Sequence, residues 1–104
     1  MPLTREFKET VVARVATDPD FAMALLGEAV QCMIDGDLQT GKAILRDYIN
    51  ATVGFDELAT RVGKKKTSLM RMLSPHGNPN AENIFGVIHS LQDMSDVHLE
   101  VRPT

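Results

Sequence analysis

The stretch from Phe55 to Leu73, F-D-E-L-A-T-R-V-G-K-K-K-T-S-L-M-R-M-L, constrains the fold more than any other part of the chain. Phe55, Leu58, Ala59 and Val62 recur at the i, i+3, i+4, i+7 spacing of an amphipathic helix. Gly63 stops that helix, because the left-handed residue that closes a helix is cheap only without a Cβ. Three lysines fill the turn, and a second short helix follows with Leu69, Met72 and Leu73 on its inner side. Two short helices joined by a turn of about 3–4 residues containing glycine make a helix-turn-helix unit. Ala59 falls where the two helices come closest, and Leu69 faces back onto the first. Lys66, Thr67, Met70 and Arg71 are left on the outer side. An ordinary helix stop in a plain bundle has the same spacing, so the pattern alone leaves both readings open.

Charge separates them. From Leu58 to Ala81 there are five basic residues (Arg61, Lys64, Lys65, Lys66, Arg71) and no acidic one, in a chain of net charge −3. A concentrated basic window in an acidic chain is the electrostatic footprint of a nucleic-acid binder. A lysine run also suits a merely solvated turn; its coincidence with an exposed helix start favours phosphate contact. The second short helix is then the one that enters a major groove of double-stranded DNA. Lys64 and Lys65, with Ser74 or Asn78, are candidates for phosphates. Lys66, Thr67, Ser68 and Arg71 are candidates for base edges, with Met70 on the same face. Arg71 is best suited to a bidentate guanine contact; its alternative is an ion pair with Glu57 or Asp56. One tyrosine and four phenylalanines leave no stacking platform for single-stranded RNA.

A chain of 104 residues fits one domain. No apolar run approaches the roughly 18–20 residues that span a membrane, and the start M-P-L-T-R-E-F lacks the layout of a secretory signal. A single cysteine, Cys32, cannot form an internal disulfide and reads as a small buried side chain. These features together lead us to expect a cytoplasmic protein. No catalytic set converges: His76, His89 and His98 are dispersed, and there is no phosphate loop or G-x-S-x-G phrase. His89 and Asp93 stand four apart but lack further ligands for a metal. No enzyme, metal or cofactor is expected.

Before the central stretch, residues 1–53 read as three helices. Thr4 caps the first, running to about Ala16 with Phe7, Val11, Val12 and Val15 as its stripe. Asp18 caps and Pro19 opens the second, which runs to about Ile34 and buries Phe21, Leu25, Leu26, Ala29 and Met33. Asp37 caps a third to about Val53, with Leu38, Leu45, Tyr48, Ile49 and Thr52 on one side. Gly41 inside it costs up to about 1 kcal/mol relative to alanine, either to permit close packing or by chance. After S-P-H-G-N-P-N, Asn80 caps a last helix to about Leu91 carrying Ile84, Val87, Ile88 and Leu91.

The tail changes period. Val97, Leu99 and Val101 alternate with His98, Glu100 and Arg102, as in a half-buried strand over 96–102. A lone strand leaves its backbone groups unpaired, so it should pair with the same tail of a second copy or with a partner protein. Packing on the helices without a ladder is the alternative.

The L-A-x-x-x-G spacing at Leu58, Ala59 and Gly63 resembles that of lambda-repressor-like (Xre/Cro) regulators. Two positions depart from that pattern: Lys64 stands where an apolar residue is usual, and Lys65 where a Ser or Thr cap is usual. From about Asp18 to Arg102 the chain resembles antidote proteins of addiction modules. The phrases carrying this are D-P-D-F-A-M-A-L-L-G-E-A at 18–29, G-K-A-I-L-R-D-Y-I at 41–49, S-L-M-R-M-L-S at 68–74, G-N-P at 77–79 and V-H-L-E-V at 97–101. The resemblance implies an all-α, lambda-repressor-like helix-turn-helix bundle (core 54–92) with an N-terminal helical extension and a short C-terminal strand. It further implies a homodimer that binds operator DNA and represses transcription, and a cognate toxin as a protein partner. A helix-turn-helix scaffold that docks a partner without reading DNA is the competing expectation.

Overall fold

A computed structural model of the chain describes residues 5–104. The described residues form six α-helices: α1 (Arg5–Thr17), α2 (Pro19–Ile34), α3 (Leu38–Ala51), α4 (Phe55–Val62), α5 (Lys66–Met72) and α6 (Ala81–Ser95). Their starts follow local chemistry. The Asp18, Asp37 and Asn80 side chains accept from the N–H groups of Phe21 (3.1 Å), Thr40 (3.1 Å) and Asn83 (2.8 Å), which satisfies helix-start donors that otherwise have no partner. The expected Thr4 cap lies outside the described residues. Helix α6 runs to Ser95, a turn beyond the expected end, because Asp96 rather than a glycine takes the left-handed closing position (φ 52°).

One core joins the helices: Leu26 and Ala29 of α2, Leu45, Tyr48 and Ile49 of α3, Phe55, Leu58 and Ala59 of α4, Leu69 of α5, Leu73, and Ile84, Val87, Ile88 and Leu91 of α6. Helices α2 and α3 pack most extensively, and α4 packs on both α5 and α6. Gly41 is where α2 and α3 touch; a Cβ there would sit 2.6 Å from Met33 Cγ and 2.9 Å from the Ala29 carbonyl oxygen. Close packing thus accounts for the glycine. The radius of gyration, 13.0 Å, is that of one packed body of this length.

Several burial expectations need correcting; Leu25 and Met33, for example, are only half-buried. Val12 and Phe7 are exposed; among the described side chains of α1, the buried ones are Val11 and Val15. Thr52 is exposed beyond the end of α3, its hydroxyl donating to the Tyr48 carbonyl (2.7 Å). Phe21 is half-buried, its ring covered by the Arg14 guanidinium at 4.3 Å. Cys32 is half-buried and touches the Glu28 carboxylate (3.6 Å); burial first, then the Glu28 charge, pushes its thiol pKa up.

Residues 97–104 form no strand within the chain. The reason is the one that made a lone strand unstable: no second strand exists among the described residues to complete a ladder. Val97 and Leu99 instead pack against the core, and Val101 is 79% exposed. The Val97 N–H donates to the Gln92 carbonyl (2.9 Å) and the Leu99 N–H to Gln92 Oε1 (2.7 Å). No helix among the described residues is long and apolar enough to cross a membrane.

Candidate nucleic-acid interface

The α4–α5 pair is built by its turn. Gly63 is left-handed (φ 72°, ψ 32°); its N–H reaches the Thr60 carbonyl (3.4 Å) and the Lys64 N–H the Ala59 carbonyl (3.1 Å). These are the paired bonds of a Schellman ending. Only Lys64 and Lys65 then separate Gly63 from α5. Leu69 is fully buried, so the rest of the α5 surface is fixed in direction. Lys64, Lys65, Lys66, Thr67, Ser68 and Arg71 are exposed, as is Met70 at 46%.

Their charges are not equivalent. Lys66 lies 3.3 Å from the Asp56 carboxylate and Arg61 3.2 Å from that of Asp93. Both pairs are exposed, where such contacts are worth little. Lys64, Lys65 and Arg71 have no side-chain partner among the described residues. Of the two acidic neighbours considered for Arg71, Asp56 is taken by Lys66, and Glu57 forms no ion pair with Arg71. Lys64, Ser68, Arg71 and Asn78 meet around an open cleft of ≈370 Å³, which His76 and Asn83 complete. Lys65 and Thr67 stand outside it. Ser74 is half-buried and its hydroxyl is engaged: it donates to the Arg71 carbonyl (2.7 Å), capping the end of α5. His89 and Asp93 do not join a ligand cluster; no group of three or more His, Cys, Asp or Glu side chains able to hold a metal occurs among the described residues.

Beneath the cleft lies a feature that apolar periodicity does not register. Lys42 of α3 has no exposed surface, and its Nζ donates to the carbonyls of Ser74 (2.9 Å) and Gly77 (2.7 Å). Arg46, one turn on, donates to the Leu73 carbonyl. Two cations of α3 therefore hold the backbone that leaves α5, where helix-end carbonyls otherwise lack donors. Burial first, then the Arg46 charge, pushes the Lys42 pKa down from 10.5. The signal was present in the sequence: Lys42, Leu45, Arg46 and Ile49 share the i, i+3, i+4, i+7 spacing, so both cations fall on an inward stripe. Gly77 closes the arrangement, since a Cβ there would sit 2.2 Å from the Arg71 carbonyl oxygen.

No family model, curated protein or solved structure matches this chain.

Proposed function

We propose that the chain is a sequence-specific DNA-binding regulator that uses α4–α5 as a helix-turn-helix and binds operator DNA as a dimer. One observation supports this above the others. Three unpaired cations, Lys64, Lys65 and Arg71, share the outer surface of a short helix pair, with no acidic residue from Leu58 to Ala81. Lys64 and Lys65 are assigned to phosphates, and Asn78 joins Lys64 across the cleft. Arg71, Ser68, Thr67 and Lys66 are assigned to base edges. A second reading, a scaffold that docks a protein such as a toxin, draws on Met70, an adaptable apolar side chain in the middle of this polar surface.

The test is a binding titration against the DNA upstream of its own gene, at several salt concentrations. Each phosphate neutralised contributes about 0.9 to the slope of log affinity against log salt. Lys65→Ala should flatten that slope and weaken all sequences alike. Arg71→Ala should relax discrimination at one base pair by about 1–3 kcal/mol. Binding that is absent at physiological salt would leave the docking reading in possession of the surface.

A further inference from the structure

The tail leaves one backbone edge without partners. In an extended chain, successive N–H and C=O groups face opposite edges. The N–H groups of Val97 and Leu99 face Gln92. Those of His98, Glu100 and Arg102 have no partner among the described residues. On the α2 side, Gly27, Val30 and Ile34 border the tail in an open groove of ≈150 Å³, where Ile34 is 55% and Val101 79% exposed. An unpaired edge beside an apolar strip calls for a strand as occupant, and the tail's own sequence indicates which.

We propose that residues 97–101 of two copies pair antiparallel about a two-fold axis at Leu99, completing the dimer on which the preceding reading rests. This register places Leu99 opposite Leu99 and Val97 opposite Val101, all on the apolar side. His98 stands opposite Glu100, where an imidazole N–H donates to a carboxylate. The hydrogen-bonded pairs are then the even-numbered residues, whose edge is free. A slip of one residue sets Leu99 against Glu100 or His98, and moving the axis to residue 100 sets Glu100 against Glu100, which like charges oppose. Moving it to residue 101 sets Leu99 against Pro103 and replaces the two Val97–Val101 pairs by a single Val101–Val101 pair. The segment is therefore complementary to itself in charge, shape and free donors in one register. The second tail covers Val101 and the groove along α2.

The test uses purified full-length chain without DNA. In a Cys32→Ala background, Leu99→Cys should form a disulfide-linked dimer under mild oxidation, because residues facing each other at the axis bring their Cβ atoms about 4.5–5.5 Å apart. Val101→Cys should link far less, since its neighbour is Val97. Light scattering should give the wild type twice the 11.5 kDa of one chain. Val101→Asp should fall to the single-chain mass with its helical circular dichroism unchanged, the position being exposed in one copy. A monomeric wild type, a dimeric Val101→Asp, or Val101→Cys linking as readily as Leu99→Cys would each overturn the proposal. Pairing as described by a chain that binds no operator would sink the DNA reading alone; operator binding by a monomer would sink the interface alone.

Discussion

Lys42 shows how one side chain can be indispensable and costly together. Its ammonium is desolvated, yet it supplies two donors: one to the Gly77 carbonyl, which has no other donor among the described residues, and one to the Ser74 carbonyl, which it shares with the Gly77 N–H. Lys42→Met fills similar space but strands the Gly77 carbonyl and takes the charged donor from that of Ser74, and should lower stability by about 3 kcal/mol, hydrogen bonds to charged groups being worth more than neutral ones. Its pKa is lower folded than unfolded, so between the lowered value and 10.5 the unfolded chain binds more protons. Stability from this group therefore rises with pH through that window. Urea melts of wild type and Lys42→Met should diverge as pH climbs from neutral toward 10.5. A constant gap would mean that the ammonium is not desolvated.

At the scale of elements, the candidate reading helix α5 is too short, at seven residues, to hold itself, since isolated helices below about 12–15 residues are marginal. It is held by Leu69 beneath, by the Gly63 turn before and by the Gly77 loop after. Gly77→Ala would drive a Cβ to 2.2 Å and 2.4 Å from the Arg71 and Met72 carbonyl oxygens. Backbone meeting backbone cannot relax by a rotamer change, so the loop must lift from α5. Overpacking of this kind costs about 1–3 kcal/mol, and thermal melts should show the loss. Gly63, the three caps and the apolar stripes of α2 to α6 were readable because each depends on residues within one turn of the chain. The Lys42–Gly77 clamp was not, because its partners lie more than thirty positions apart and one of them is a cation on an apolar stripe. The tail was half readable: its alternation set Val97, Leu99 and Val101 on the inner side, and Val97 and Leu99 do face the core while Val101 does not, and a ladder needs a second strand that is absent among the described residues.

The whole molecule is tied across its length. The Tyr48 hydroxyl on α3 lies 2.7 Å from that of Ser95 at the end of α6, while Lys42 and Arg46 hold the exit from α5. The N-terminal helices thus act as a brace for the basic surface rather than as an appendage. The described chain measures 34 × 29 × 29 Å, so two copies side by side have centres about one turn of DNA, roughly 34–36 Å, apart. If paired tails fix that separation, spacing between half-sites becomes a sharp test. Inserting about five base pairs turns the second half-site to the far side of the duplex, at about 10–10.5 base pairs per turn. Affinity in a gel-shift titration should then fall to that of a single half-site. Inserting a full turn restores the facing but not the distance, and the short pairing over residues 97–101 offers no slack to span it, so affinity should stay low. Full affinity for either spacer would mean that the two copies reach DNA independently, with no rigid tail between them.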